Sequence, residues 1–319
     1  MESTITRRQM LAGAGAALVL PALSRPGRAG IVGTDGAIAY KRMVGDIEVT
    51  ALLDGYIELG PAALVNIDRA TIDEALKAAF FDPADQMMVG ISAQLLRLPD
   101  QVVLLDTGTG GLFGPTTGQL PAGLAAAGVA PEDVGVVLIS HMHPDHIGGL
   151  LKDGAVAYPN AAVWMPQADI DFWTDESIAA SAPEDAQSFF AVARDVVAAY
   201  GDRITPFSGE TELVPGVTSV PLPGHTPGHS GFRIESGGDS LLYWADIVHV
   251  MQVQFAHPEA SISFDIDPDL AAETRRQAFA QAASDGTLAA GTHLPFPTYG
   301  HVRAEGEGFD WVAEAWQYG

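Results

Sequence analysis

The chain has no cysteine and only three lysines, Lys41, Lys77 and Lys152, among its 319 residues. Without cysteine it can form neither a disulfide nor a thiolate metal site, so any metal must be held by histidine, aspartate or glutamate. There are 16 basic residues against 40 acidic ones, which gives a formal charge of −24. A surface this acidic repels phosphate backbones and anionic membranes, so we expect no nucleic-acid partner.

The first apolar run, residues 11–23, is interrupted by glycine and is shorter than the roughly 20 apolar residues that span a membrane. We therefore expect no stable membrane insertion. Arg7 and Arg8 precede the run and small residues follow it, a pattern that resembles a twin-arginine signal, which exports folded proteins. The sequence thus predicts a signal peptide over residues 1–30, a periplasmic or secreted location, and one domain over residues 31–319. The alternative for residues 1–30 is a disordered basic tail.

One short stretch concentrates metal-ligand residue types: His141-Met142-His143-Pro144-Asp145-His146. It directly follows residues 136–140, an apolar run typical of a buried strand, so we expect it on the loop where that strand ends. His141 and His143 would project to one side of an extended segment and bind one ion, whereas Asp145 and His146 would point toward a second. Imidazole nitrogens and carboxylate oxygens suit zinc and other borderline divalent ions. The alternative is a polar turn that carries its histidines by chance.

Predicted strands and helices alternate along the rest of the chain, which favours a single domain with paired sheets and outer helices. His225 and His229 lie in a Gly/Pro-rich turn, Asp246 closes an apolar run, and His293 follows a strand predicted at residues 287–290. Each of these residues alone is more often structural. Together with the first stretch they supply three histidines for one ion, an aspartate and two histidines for a second, and a carboxylate to bridge them. Two metal ions about 3.5–4 Å apart need such a set.

In this order the residues resemble the metallo-β-lactamase fold superfamily. The matching positions are Asp106-Thr107-Gly108, His141-x-His143-x-Asp145-His146, His225, Asp246 and His293. The resemblance implies an α/β (α+β) fold, a four-layer αββα sandwich with its metals at one edge of the two sheets. It assigns His141, His143 and His225 to one ion, Asp145, His146 and His293 to the other, and Asp246 to both. Asp106 and His229 would orient the ligands without binding metal. The ions would be zinc, with cobalt, manganese or iron as alternatives.

Departures from other branches of the superfamily narrow the choice. The commonest zinc β-lactamases have cysteine at the bridging position, and this chain has none. Mononuclear iron dioxygenases lack the final histidine, which is present here as His293. Flavin-coupled diiron reductases have glutamate in place of the second histidine and carry a flavodoxin domain. A binuclear hydrolase remains.

Several short motifs are similar to the methyl parathion hydrolase subfamily. They are Leu112-Phe113-Gly114-Pro115, Asp171-Phe172-Trp173, Ser188-Phe189-Phe190, Phe207-Ser208-Gly209, Val253-Gln254-Phe255 and His293-Leu294-Pro295-Phe296-Pro297. This resemblance implies a homodimer and an aromatic wall that covers the metals and binds apolar groups of the substrate. The wall would consist of Phe113, Trp173 and Phe190, with Phe189 as the alternative to Phe190. These aromatic residues could instead be core or dimer packing.

The implied reaction is hydrolysis of a small apolar ester-type substrate by a hydroxide held between two metals. Asp246 would position both ions, and Asp145 would accept a proton from the bridging water. His249, three residues after the bridging aspartate, is a candidate catalytic residue that polarises the substrate oxygen or protonates the leaving group; alternatively, it faces solvent or caps a neighbouring carbonyl. We expect a lactonase or esterase with phosphotriester hydrolysis as a side activity. The alternatives are a dedicated organophosphorus hydrolase and, outside the hydrolases, a metal-dependent oxygenase or a non-hydrolytic metal-binding protein.

Overall fold

Two seven-stranded β-sheets form the centre of the molecule. The computed structural model describes residues 39–184 and 186–315, and the predicted signal peptide over residues 1–30 lies outside them. The described residues all belong to one compact unit, Ala37–Gly319.

The strands and α-helices of the described residues are as follows. The strands are β1 Ala39–Val44, β2 Ile47–Leu59, β3 Leu64–Val65, β4 Met87–Leu98, β5 Gln101–Leu105, β6 Val134–Leu138, β7 Leu151–Lys152, β8 Ala155–Val156, β9 Ala162–Pro166, β10 Ile204–Phe207, β11 Glu212–Val214, β12 Val217–Pro221, β13 Ser230–Ser236, β14 Asp239–Tyr243, β15 Ser261–Ile262, β16 Leu288–Ala290, β17 Tyr299–Glu305 and β18 Gly308–Ala313. The helices are α1 Arg69–Ala78, α2 Leu120–Ala126, α3 Pro144–Ile147, α4 Gln167–Thr174, α5 Glu176–Ser181, α6 Gln187–Tyr200, α7 Met251–Gln254 and α8 Pro268–Asp285.

Both large sheets mix antiparallel and parallel strands. The first has the order β1-β2-β4-β5-β6-β9-β10, and the second has the order β11-β12-β13-β14-β16-β17-β18. In the first sheet, β5, β6, β9 and β10 run parallel to one another. In the second, β14 and β16 are the parallel pair. Parallel neighbours end at the same edge of a sheet, so the loops that follow them lie together.

Three apolar layers separate four layers of secondary structure. Side chains of both sheets, such as Val103 and Phe232, fill the space between the sheets. Leu124 of α2 and Val196 of α6 pack on the outer face of the first sheet. Phe279 of α8 packs on the outer face of the second sheet. This is the predicted αββα sandwich, and the predicted fold class is confirmed.

Helix α8 shows how local sequence sets the ends of an element. The Asp267 carboxylate accepts a hydrogen bond from the backbone N–H of Leu270, and Pro268 occupies the first turn, where it removes no intrahelical bond. The helix ends at Gly286, whose φ of 63° suits glycine. The sequence pattern predicts a helix that Asp267-Pro268 opens and Gly286 stops, and both ends are confirmed. At 18 residues α8 is the longest helix of the described residues, none of whose helices is long and apolar enough to cross a membrane.

The registers of the parallel pairs explain why the ligand-type residues meet. Leu105 of β5 pairs with Leu138 of β6, and Tyr243 of β14 pairs with Ala290 of β16. The loops after these four strands therefore leave at matching levels. A backbone hydrogen bond of 3.0 Å from Ser230 N to the Ser140 carbonyl joins the two sheets beside these loops.

Candidate metal centre

The histidine-rich stretch leaves the end of β6 and turns into the single-turn helix α3. His143 is the last extended residue before this helix, with φ −72° and ψ 153°, and Pro144 opens it. The turn therefore separates His141 and His143, on the extended segment, from Asp145 and His146, on the helix. All four residues are buried.

Three histidines form the first group of candidate ligands: His141, His143 and His225. His143 Nδ1 lies 3.0 Å from His225 Nε2, so two nitrogens that can each donate a lone pair face one another. His141 Nε2 has no hydrogen-bond partner among the described residues, although it is buried. The sequence brings these residues together from two loops, one after β6 and one after β12.

A second group consists of Asp145, His146, Asp246 and His293. Asp145 Oδ2 lies 3.6 Å from His146 Nε2 and 3.5 Å from His293 Nε2. Asp246 Oδ2 lies 3.2 Å and 3.0 Å from the same two nitrogens. Ligands about 2.1 Å from a tetrahedral zinc ion lie about 3.4 Å from one another, so these separations fit one ion.

The Asp246 carboxylate lies close to imidazole nitrogens of both groups. Its Oδ2 is 3.7 Å from His141 Nε2 and 3.4 Å from His225 Nε2, in addition to its contacts in the second group. Its Oδ1 is buried and has no hydrogen-bond partner within the described part of the chain. A buried carboxylate oxygen without a partner is costly unless a cation neutralises it. The donor types and the unpartnered atoms therefore fit two divalent ions that share Asp246.

The backbone beside the two central carboxylates is strained. Asp106 has φ 59° and Ala245, directly before Asp246, has φ 48°, and neither residue is glycine. Left-handed conformations of such residues are costly and concentrate at functional sites, where the surrounding structure fixes them. The Asp106 carboxylate accepts hydrogen bonds from Ser140 N and Oγ, both at 2.8 Å, and from Tyr243 at 2.8 Å. It also lies 3.0 Å from His146 Nδ1.

His229 supports the loop that carries Asp246. Its Nδ1 donates to the Leu222 carbonyl at 2.7 Å, and its Nε2 accepts from the backbone N–H of Asp246 at 3.1 Å. Burial lowers the pKa of His229 to about 4, so the ring is neutral at pH 7 and can keep one donor and one acceptor nitrogen. This contact fixes where the Asp246 backbone lies.

His249 faces the candidate centre rather than solvent. Its Nε2 lies 3.2 Å from Asp246 Oδ2, and its ring stacks on that of His293 at 4.7 Å. Burial lowers the pKa of His249 to about 3, so the imidazole is uncharged at neutral pH. The solvent-facing alternative for this residue is wrong. His257 and His301 lie away from the cluster: the former contacts Glu259, and the latter contacts the Gly286 and Thr287 carbonyls.

Electrostatics favour an ionised Asp246. Burial opposes its ionisation, but His146, and then His293 and His141, hold the pKa of the Asp246 carboxyl well below its usual range. His141 is the opposite case, because burial keeps the pKa of its imidazole well below the usual value. A neutral imidazole and an ionised carboxylate are the forms that bind metal.

A cavity of about 90 Å³ opens above these residues. Its apolar walls are Ile57, Leu59, Phe113, Phe189 and Phe264. Its polar floor consists of His143, Asp145, Asp246, His249 and His293. The predicted position of Phe113 agrees with this lining, and Phe189 lines the cavity in place of Phe190.

Two aromatic residues predicted for the cavity wall lie elsewhere. Trp173 and Phe190 are 1% and 2% exposed and pack against each other in the core under the first sheet, with ring centroids 4.7 Å apart. Phe190 follows Phe189 on α6, and successive helical residues point about 100° apart, so only one of them can face the cavity. The assignment of Trp173 and Phe190 to the wall was wrong. Trp173 instead supports the centre, since its ring lies edge-on to His143 at 5.1 Å.

The sequence matches the model of the metallo-beta-lactamase superfamily over residues 89–293, a span that includes every candidate metal ligand. The chain belongs to the metallo-β-lactamase superfamily. Two N-acyl homoserine lactonases, from a Bacillus species and from Bacillus cereus, are 27% and 26% identical to it. The first alignment covers 55% of this chain and 68% of the relative, and the second covers 57% and 71%.

Solved structures of the superfamily are similar over most of the chain. The hydrolase AbOPH is 33% identical with a TM-score of 0.82, and the match covers 89% of this chain and 99% of that one. AidC, a dizinc quorum-quenching lactonase in complex with a product, N-hexanoyl-L-homoserine, is 29% identical with a TM-score of 0.83. That match covers 89% of this chain and 100% of AidC.

The sequence did not reveal the role of two buried aspartates in this metallo-β-lactamase fold. Asp169 of α4 accepts hydrogen bonds from Met142 N, Thr226 Oγ1 and Gly228 N at 2.8, 2.9 and 2.6 Å. It thereby joins the two loops that supply the first ligand group. Asp265 contacts His225 Nδ1 at 2.6 Å. The signal at Asp169 is an acidic residue one turn before a buried tryptophan on the same helix, whereas no local pattern marks Asp265.

The positions of Phe189 and Phe190 give a paired test of the cavity wall in this superfamily member. Phe190→Ala should destabilise the protein by about 3–5 kcal/mol, because it leaves a cavity in the core, and should change kcat/KM little. Phe189→Ala should cost less stability but lower kcat/KM for apolar substrates roughly 10-fold, because it removes one wall contact. Thermal unfolding and kinetics of both variants would check this. A Phe190→Ala variant that is as stable as the native protein and selectively loses apolar substrates would contradict the placement.

Proposed function

We propose that this chain is a binuclear metal-dependent hydrolase of lactones and related esters, with phosphotriester hydrolysis as a side activity. The observation that carries the proposal is the position of Asp246 Oδ2, which lies between 3.0 and 3.7 Å from imidazole nitrogens of both groups of ligand-type residues, beneath an apolar cavity. The similarity to N-acyl homoserine lactonases supports a lactone as the substrate class. The nearer resemblance to methyl parathion hydrolases stays a prediction.

In this proposal His141, His143 and His225 would hold one ion, and Asp145, His146 and His293 the other, with Asp246 binding both. When bound, two divalent ions would supply a water of lowered pKa and a Lewis acid for the substrate oxygen. Zinc suits the donor set, since no thiolate is available and imidazole nitrogens dominate. Cobalt, manganese and iron also accept these donors.

The residues of the chain would supply orientation and proton transfer. Hydrolysis adds water across the ester bond: the acyl carbon gains a hydroxyl group, and the departing oxygen gains a proton. The Asp145 side chain, 12% exposed beside the cavity, would accept the proton that the attacking water loses. His249 would donate a hydrogen bond to the substrate oxygen, because its ring lies at the cavity floor next to Asp246. The apolar walls would exclude water and hold an alkyl, acyl or aryl group.

A kinetic comparison on purified, metal-analysed protein tests the proposal. It would measure kcat/KM for N-acyl homoserine lactones, simple aryl esters and a methyl-substituted phosphotriester such as methyl paraoxon. A lactone or ester value at least roughly 100-fold above the phosphotriester value, about 2.7 kcal/mol in transition-state stabilisation, supports it. The reverse preference would make phosphotriester hydrolysis the main activity. Two bound ions without turnover of any of these substrates would overturn the hydrolase proposal.

The contribution of His249 can be separated from metal binding with His249→Phe, which keeps a ring but removes both nitrogens. We expect a roughly 100-fold lower kcat with two ions still bound, because the lost contact is to the substrate rather than to the metals. His257→Phe is the matched control, since His257 lies outside the cavity lining. Loss of one ion from His249→Phe would instead identify His249 as a metal ligand, and unchanged kcat would remove it from the reaction.

A further inference from the structure

A fully buried arginine lies behind the metal centre. Arg275 of α8 is 1% exposed, and its guanidinium donates to the carbonyls of Ile247, Pro258 and Ala260 at 2.7, 3.0 and 2.8 Å. Its Nη2 lies 3.8 Å from Asp265 Oδ2. A buried guanidinium is expensive unless its donors are used and its charge is balanced. Asp265 is the carboxylate that balances it.

Asp265 in turn holds a candidate metal ligand. Its side chain is 0% exposed, its Oδ1 lies 2.6 Å from His225 Nδ1, and its Oδ2 accepts from the backbone N–H of Ile262 at 3.0 Å. The loop is further fixed by a backbone hydrogen bond of 3.0 Å from Ile266 N to the carbonyl of His225. The carboxylate therefore has a single orientation relative to the ring.

This geometry determines which nitrogen of His225 is free. A carboxylate oxygen only accepts, so His225 Nδ1 must carry the proton and donate it to Asp265. In the neutral ring, the form that binds metal, the lone pair is then on Nε2, the nitrogen that lies 3.0 Å from His143 Nδ1 and 3.4 Å from Asp246 Oδ2. Carboxylates that bind the far nitrogen of a metal-binding histidine fix its tautomer and raise its basicity.

We infer that Asp265, held in place by Arg275, is a positioning residue that sets His225 for metal binding and so controls the affinity of the first ligand group. The inference rests on the proposed binuclear centre. It adds that the binding of one ion depends on a residue that contacts neither ion. Arg275 also binds the carbonyl of Ile247, the residue after Asp246. The same guanidinium thereby fixes the distance between the loop of the shared carboxylate and the loop of Asp265.

The second ligand group provides an internal comparison. There Asp106 Oδ2 lies 3.0 Å from His146 Nδ1, so each group contains one imidazole backed by a buried carboxylate. Removing the charge of Asp265 should weaken metal binding at the first group alone. Removing the charge of Asp106 should weaken metal binding at the second group. A general loss of folding stability would instead weaken metal binding at both groups in either variant.

The experiment measures metal binding rather than turnover. Native protein, Asp265→Asn and Asp106→Asn would be titrated with cadmium-113 against a competing chelator, with one NMR resonance followed for each site. We expect a 10- to 100-fold weaker affinity at one site in Asp265→Asn, at the other site in Asp106→Asn, and partial recovery in Asp265→Glu. Asp285→Asn, an exposed position at the end of α8, is the control that should change neither site. Unchanged affinity at both sites in Asp265→Asn would overturn the inference.

A measurement on the native protein covers the case in which Asp265→Asn does not fold. Nitrogen-15 NMR of the histidine rings in the cadmium-loaded protein reports which nitrogen carries the proton. We expect His225 to be protonated on Nδ1 and to bind cadmium through Nε2, and binding through Nδ1 would overturn the inference. Native protein that binds fewer than two ions would instead contradict the proposed function, so the two failures are distinguishable.

Discussion

Replacing Asp246 with alanine is expected to lower kcat/KM by at least about a thousandfold and to reduce the bound metal from two ions to one or none. Asp246 Oδ2 is the atom that both ligand groups share, with distances between 3.0 and 3.7 Å to His293, His146, His225 and His141. A thousandfold loss corresponds to about 4 kcal/mol of transition-state stabilisation. Without the carboxylate, each ion would lose a ligand, and the two ions would lose the group proposed to fix their separation.

Metal analysis and kinetics on the same sample would check this result. Asp202→Ala, which removes an exposed carboxylate from a short turn, is a suitable control and should retain both ions and full activity. Circular dichroism of the metal-free proteins would show that the Asp246→Ala variant still folds. Full activity with two ions in that variant would exclude a shared carboxylate from the mechanism.

Adding one methyl group at Gly149 is expected to destabilise the protein by about 3 kcal/mol or more. A Cβ at this position would lie 1.9 Å from the carbonyl oxygen of Thr107, a backbone atom that cannot move alone. Thr107 donates to the carbonyl of His146 through both its N–H, at 2.8 Å, and its hydroxyl, at 2.7 Å. Any displacement of Thr107 therefore reaches the metal-ligand loop. The expected cost is at the upper end of the range for overpacked cores, because backbone must shift.

Gly135→Ala is the matched control for Gly149→Ala. Neither glycine has a positive φ, and a Cβ at Gly135 would meet only the carbonyl oxygen of Val102, at an ordinary 3.8 Å. Both substitutions remove the same backbone freedom, so their difference isolates the steric clash. Denaturant unfolding and metal content would be measured for both. A Gly149→Ala variant as stable as Gly135→Ala would mean that the Thr107 loop is free to move, contrary to its hydrogen bonding.

Local sequence was sufficient to predict the ligand-type residues because each follows a strand that can be recognised on its own. The β5 and β6 strands and the turn of the β4–β5 hairpin lie where alternating and apolar runs predict them. The helix predicted over residues 117–128 is shorter, Leu120–Ala126. Its start is fixed by Asp54, whose buried carboxylate accepts from Gly118 N and Leu120 N. No pattern near residue 117 reveals a partner so far back in the chain.

Contacts between distant segments account for what the sequence could not predict. Asp265 lies 40 residues after His225, and Asp169 lies 27 residues after Met142, so neither shares a local motif with the residue it holds. The choice between Phe189 and Phe190 depends on the rotation of α6 about its axis. The residue pattern predicts a helix over residues 184–200, but α6 begins at Gln187, after the separate helix α5.

The ligand loops come from both sheets, and this arrangement has a mechanical consequence. His141 to His146 follow a strand of the first sheet, whereas His225, Asp246 and His293 follow strands of the second. Each bound ion would therefore link the two sheets through ligands that lie about 80 to 150 residues apart in the chain. Closing such long loops removes the most conformational entropy from an unfolded chain. A protein without cysteine has no disulfide to do this. The metals would then serve as its cross-links, and metal binding would contribute to holding the two sheets of the sandwich together.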